Sequence, residues 1–294
     1  MLGVDLGSSL VKLALIEEDG TIKFDHFRTK LDLIKAFFSN EGDHTLKNFA
    51  PNGVKAIGTV GAGGCKFNEF LKTLPNISEN GDEMGSNAYA VSYLLKTPSQ
   101  IRVFGGNGVI DDSYVIASMG TGTAFTIIRP GEPMRHVGGT GLGGGTLIGL
   151  ANMILGINDF DQLCKLASQG DSNKLDLLIR DIAGSDYSPT LKADVIASSF
   201  AKAAYCEERP ADKDIAAGIL STISFAIGAH VASVCVAEKV STVVFVGGFL
   251  DIDGIISNNL MRSLNLFHPE ITLVIPKNYH YMGALGTALK LSHK

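Results

Sequence analysis

A glycine turn that joins one apolar strand to another, rather than a strand to a helix, restricts the fold of this chain more than any other feature, and it occurs twice. The first copy opens the sequence. Leu2, Val4 and Leu6 carry a single acid, Asp5, then turn on Gly7-Ser8-Ser9 and run into a second apolar segment, Val11 to Ile16, with Lys12 near its start. This pattern predicts a β-hairpin. The second copy runs from Tyr114 to Ile128 and turns on Gly120-Thr121-Gly122-Thr123. A dinucleotide-binding fold places its glycine turn between a strand and a helix, so these hairpins exclude it. Their recurrence points to an internal duplication.

The chemistry of such a turn suits phosphate. Its backbone N–H groups, its hydroxyls and Lys12 lie on one side and cradle anionic oxygens, while Asp5 can hold a hydrated Mg²⁺ beside them. An ordinary tight turn with a satisfied acid is the alternative for the first hairpin alone. A carboxylate in the middle of a buried strand needs a partner, which favours a site. Two such hairpins facing each other across a cleft would grip a nucleotide triphosphate from both sides.

Between and after them the chain alternates. Thr21 to Phe27 predicts a third strand, Leu31 to Phe38 a helix, and Val54 to Val60 a strand leading into the glycine turn Gly61 to Phe67. Three strands, a helix, a strand and a helix describe an α/β plan with mixed strand directions. Glu79, Asp82 and Glu83 precede an apolar helix, Ala88 to Leu95, which is also what ordinary helix capping requires. Further on, Gly138, Gly139, Gly141, Gly143, Gly144 and Gly145 crowd into what reads as one turn entering a helix from Leu147 to Leu155, where they would present free amides at a positive helix end. Helices are expected over Phe160 to Ala167, from the break at Gly170-Asp171-Ser172 through Ile182, over Lys192 to Tyr205, and from Asp212 onward. Val243 to Val246 predicts a strand, and the Gly247-Gly248-Phe249 after it is a place to lay a purine against backbone. A last strand, Ile271 to Ile275, and a closing helix, Met282 to Leu289, complete the chain.

Bulk properties narrow the partners. The 294 residues suffice for two domains. A net charge of −5 with no run of Lys and Arg argues against nucleic acid. Many of the 34 glycines cluster where a ligand would approach the backbone. The segment Ile215 to Ala237 carries no charged residue over 23 positions, long enough to cross a bilayer. Ser221, Thr222, Ser224, His230 and Ser233 interrupt it and no positive cluster flanks it, so a buried central helix and no membrane partner are expected. Scattered cysteines, and a first strand that leaves no room for a signal peptide, predict a cytoplasmic protein.

Taken in order, the motif at Asp5 to Lys12, the one at Gly120 to Thr123 and the Val246 to Phe249 turn resemble the actin-like superfamily of sugar kinases, acetate kinases and related ATPases. More specifically, the chain resembles the type II pantothenate kinases. The resemblance is carried by Val137-Gly-Gly-Thr-Gly-Leu-Gly-Gly-Gly-Thr146, Ile157-Asn-Asp-Phe160, Ala167-Ser-Gln-Gly-Asp171, Val195-Ile-Ala-Ser-Ser-Phe200, Val244-Phe-Val-Gly-Gly-Phe-Leu250 and Gly283-Ala-Leu-Gly286.

That resemblance implies two ribonuclease-H-like domains, 1–108 and 109–294, with mixed sheets flanked by helices, an ATP cleft between them and the last helix packing back at their interface. It implies transfer of a phosphoryl group from ATP, with Mg²⁺ held through water at Asp5, to the primary hydroxyl of pantothenate. Gly7, Ser8, Ser9, Lys12, Gly120, Thr121, Gly122, Gly143, Gly144, Gly145 and Thr146 would lie along the phosphates, and Phe160 and Gly248 along the adenosine. Glu83 falls on the family's general base, with Glu79 and Asp82 close by as alternatives. A cation is expected just before the long glycine loop, where the family has Arg and this chain has His136 preceded by Arg135. Ala124 stands where the family commonly has Ser. The family also implies a homodimer and coenzyme A or an acyl-CoA as feedback ligand. Both departures lie on the acceptor side, so a kinase for another small hydroxylated acid or a sugar, or a non-catalytic nucleotide or acyl-CoA sensor, stays open at this stage.

Overall fold

Alternation along the first strand decides which way the molecule faces. In β1 (Leu2–Leu6), Leu2, Val4 and Leu6 point to one side. There they share a core with Val11 and Leu13 of β2 (Leu10–Ile16) and with Ile34 and Phe37 of α1 (Leu31–Ser39). Gly3 and Asp5 therefore face the other way. The computed structural model describes residues 1–39, 54–74, 77–189, 191–251 and 254–293.

The first sheet has the order β3-β2-β1-β4-β5, with β3 at Ile22–Arg28, β4 at Ile57–Val60 and β5 at Ile77–Asn80. Its first three strands are antiparallel, while β4 and β5 add in parallel. The second sheet comprises β6 (Ile101–Phe104), β7 (Tyr114–Met119), β8 (Thr123–Ile128), β9 (Arg135–Thr140), β12 (Thr242–Val246) and β13 (Thr272–Pro276), ordered β6-β13-β12-β7-β8-β9. Leaving aside the antiparallel edge strand β6, both sheets run third, second, first, fourth, fifth. The duplication read from the two hairpins is a duplication of whole sheets. Strand β6 precedes residue 108 yet pairs in the second sheet.

Two helices fill the space between the sheets. These are α4 (Glu83–Leu94) and α10 (Met282–Ser292), and their Val91, Leu94, Leu285 and Ala288 share one core with Ala14 of the first sheet and Ile116, Val244 and Val274 of the second. The fit is close. A β-carbon on Gly286 would lie 1.8 Å from the Ser86 carbonyl of α4, and one on Gly3 would lie 1.9 Å from the Ala284 carbonyl. Small α2 (Ala62–Lys66) and α3 (Asn68–Leu71) follow β4. Behind the second sheet, α5 (Gly144–Leu155), α6 (Phe160–Ala167) and α9 (Ile255–Phe267) pack on α8 (Asp212–Glu238), which contains the uncharged segment and whose inner residues form the largest core. Helix α8 is long and apolar enough to cross a membrane, and more than half of its most apolar stretch is buried in protein.

Several local expectations change. The run from Ser172 to Ile182 is a 3₁₀ turn, the short strand β10 (Leu177–Leu178) and the brief helix α7 (Ile179–Ala183). Lys192 to Tyr205 is not a helix, because Ile196–Ser198 forms β11 against β10 and only Ala201–Tyr205 turns, as 3₁₀. The buried Asp176 accepts the Phe200 N–H at 3.0 Å, and that non-local bond fixes the extended path over local helix propensity. Helix α4 begins at Glu83 rather than Ala88, since Asp82 is its N-cap and accepts the Gly85 N–H.

Candidate active site

A cavity of about 660 Å³ opens between the two lobes. Asp5 and Lys12 of the first hairpin, Glu83 at the start of α4, the Gly120–Gly122 tip and Gly248 after β12 all line it. The two hairpin tips meet at its edge, where Ser8 Oγ and Thr121 Oγ1 are hydrogen-bonded at 2.6 Å. Gly7 and Ser9 hold the first tip. The Gly7 N–H donates to Leu10 and its carbonyl accepts from Thr29 Oγ1, while the Ser9 carbonyl accepts the Thr29 N–H.

Asp5 is 6% exposed, and its Oδ1 has no hydrogen-bond partner among the described residues. Lys12 Nζ stands 4.0 Å from Oδ2. Burial pushes the Asp5 carboxyl up to about 7; Lys12 opposes that rise and Glu83 adds to it. An unpaired buried carboxylate oxygen is costly in an isolated protein and is the donor type that a hydrated divalent cation takes. Glu83 is likewise raised, first by desolvation, with Lys12 pulling it down and Asp82 pushing it up. Of the alternatives to Glu83, Asp82 is occupied as the cap of α4, and the side chain of Glu79 lies outside the described residues.

The long glycine stretch differs from its expected form. Gly138 and Gly139 belong to β9, not to a turn, and a β-carbon on Gly139 would lie 2.6 Å from the Thr123 carbonyl of β8. Two amides expected to be free are also used: Gly144 N–H donates to Gly120 and Gly145 N–H to Thr121, at 2.8 and 2.9 Å. A β-carbon on Gly143 would lie 2.7 Å from the Thr121 carbonyl. These glycines bring the start of α5 against the second hairpin tip and orient that tip, with the positive end of the helix behind it. Thr146 Oγ1 closes the loop by donating to the Gly141 carbonyl.

Besides Gly7, Ser8 and Ser9 of the first tip and Gly143 to Thr146 at the start of α5, three expected residues stand outside the cavity lining. Arg135 is bound to Glu238 at the end of α8 at 2.8 Å, beside a second pair, Arg129 to Glu238. His136 is exposed on β9, opposite Thr126. Phe160 packs edge-on against the buried Phe249 at 6.2 Å, behind the Gly247-Gly248 turn. Residues that pattern reading missed include Met84, Asn87, Tyr279 and His280, all in the lining. Asn87 Nδ2 donates to Ser118 Oγ across the lobes at 3.4 Å. Their signal is tertiary, although a histidine between two tyrosines just before a small-residue helix was visible in the sequence.

The fold and the interlobe cleft define a class. A ROK-family glucokinase from Streptomyces griseus, solved with glucose and AMPPNP, superposes with a TM-score of 0.57 at 15% identity, covering 100% of this chain and 99% of its own. A glucokinase from Balamuthia mandrillaris, solved with glucose, gives 0.53 at 14% identity over 98% and 92% of the two chains. The protein has the two-domain fold of the actin-like kinases. Within that class the Fumble family model matches residues 1–290, and the chain belongs to that family, the type II pantothenate kinases. The type II pantothenate kinase of Bacillus cereus (strain ATCC 10987 / NRS 248) is 24% identical over 294 residues, covering 100% of this chain and 98% of that protein. That of Bacillus thuringiensis subsp. konkukian is 25% identical with the same coverage.

Proposed function

We propose that the chain moves the terminal phosphoryl group of MgATP to the primary hydroxyl of pantothenate, with Glu83 as the base. The observation that carries this reading is the convergence of Asp5, Lys12 and Glu83 on one cavity in a member of the Fumble family. Asp5 would hold the hydrated Mg²⁺, whose charge steadies the polyphosphate and draws the Asp5 carboxyl back to its ionised form. Lys12 and the tips Gly7-Ser8-Ser9 and Gly120-Thr121-Gly122 position the tail, and Gly248 lets the nucleotide approach the backbone. Glu83, raised by desolvation and adjacent to Asn87 on α4, accepts the hydroxyl proton late, while position and charge supply most of the rate. Ala124 and Met84 line the cavity on the acceptor side. Arg135 would serve the acceptor only by leaving Glu238.

The same reading includes a cytoplasmic homodimer subject to feedback by coenzyme A or an acyl-CoA, with neither membrane nor nucleic acid as partner. The acidic balance of the chain supports the reading against nucleic acid and the burial of α8 the one against a membrane, while the location, the dimer and the feedback rest on the family likeness.

Removing the base separates chemistry from binding. Glu83→Gln is expected to lower kcat by about 10²–10⁴-fold while the calorimetric affinity for ADP stays within a few-fold of wild type. Turnover within a few-fold of wild type would take the proton-accepting role away from Glu83.

A further inference from the structure

One cavity wall carries a group that none of the phosphate or adenosine motifs marks. After β13 the chain turns on Asn278, in the left-handed region at φ 56°, and makes a 3₁₀ turn from Tyr279 to Tyr281 before α10. Tyr279 is fixed at both ends to the loop after β12: its carbonyl accepts the Gly247 N–H at 2.9 Å, and its hydroxyl donates to the Leu250 carbonyl at 3.2 Å. Tyr281 reaches the opposite lobe, its hydroxyl 3.0 Å from His26 Nδ1. Between them lies His280, its ring 3.9 Å from that of Tyr279 and nearly perpendicular to that of Tyr281 at 6.3 Å.

This clamped imidazole lines the cavity. Among the described residues its ring nitrogens have no hydrogen-bond partner. Cross-strand register places Asp5, Lys12 and His26 in a row on one face of the first sheet. Lys12 Nζ also comes 3.8 Å from the position of a β-carbon on Gly248. His280, whose backbone neighbour is tied to Gly247, thus stands where the cation of one hairpin approaches the turn after β12.

We propose that His280 is a binding residue for the phosphate tail of the nucleotide, donating a ring N–H to a phosphate oxygen beside Lys12. The inference rests on the nucleotide reading of the cleft and adds a contact to it. Burial, then the charges of Lys12 and His26, lower the imidazole to about 4, so it enters as a neutral donor and not as a second cation. The tyrosines on either side fix its direction before the nucleotide arrives, so little rotamer freedom is lost on binding.

Calorimetric titration of the full chain with ADP and with adenosine, in Mg²⁺ buffer, tests this. His280→Ala is expected to weaken ADP binding by about 3–10-fold, the value of one lost hydrogen bond, and to leave adenosine affinity unchanged. His280→Gln, which keeps an N–H donor, should recover most of the loss. If the alanine variant does not fold, His280→Leu fills the space between the tyrosines without a donor and should show the same selective loss. ADP affinity within two-fold of wild type in the donor-less variant, or equal weakening of ADP and adenosine, would overturn the assignment. A wild-type chain that binds no ADP would instead overturn the nucleotide reading itself.

Discussion

Asp5 concentrates the physical conflict in this protein. An acid on a fully buried strand is unfavourable unless something arrives to meet it, and the sequence already showed both the acid and the lysine that faces it from β2. What the sequence could not show is that Oδ1 lacks a partner, because that depends on Gly61 and Gly283, far away in the chain, approaching the carboxyl without side chains. The cost has a measurable sign. In the unfolded chain this carboxyl ionises near 3.8, and in the folded chain near 7. Between those values the folded state retains a proton that the unfolded state has released, so stability falls as pH rises through that window. Asp5→Asn in EDTA should therefore be more stable than wild type at pH 8, by on the order of a few kcal/mol, with the gain vanishing near pH 4. Urea denaturation at the two pH values reads this directly. A gain of equal size at both would show that the carboxyl is not the source of the strain.

At the level of elements, periodicity located the strands and helices that bury one regular face, and it failed where a distant bond decides. Strands β1, β2, β7, β8 and β12 and helices α1, α6 and α8 lie where apolar spacing placed them. Strands β10 and β11 look helical in the sequence because their pairing joins residues about twenty apart, and β9 looks like a turn because its glycines serve close strand approach rather than reversal. Glycines in helices divide the same way. Gly286→Ala would drive a methyl into the Ser86 carbonyl and push α10 from α4, at a cost of about 1–3 kcal/mol or more, read as a loss in the denaturation midpoint. Gly149 of α5 has nothing within 4 Å of the same position, so Gly149→Ala should stabilise by about 0.5–1 kcal/mol. Equal effects from the two would contradict the packing described between the sheets.

For the whole molecule, two sheets of the same order face each other across α4 and α10, and the hairpin that begins each sheet reaches the shared cleft. That plan was legible because each hairpin carries its own signature of strand, hydroxyl-bearing glycine turn and strand. The acceptor end was not, since the cation expected at Arg135 or His136 depends on a side-chain choice, and Arg135 lies against Glu238. Ala124 in the lining leaves that end without a hydroxyl at the position. Phosphorylation of pantothenate in this cleft is tested most directly by steady-state ADP release from the purified chain with pantothenate, glucose and N-acetylmannosamine as separate acceptors. ADP should form in step with phosphorylated pantothenate, with only background release from either sugar; turnover with a sugar and none with pantothenate would contradict a pantothenate kinase.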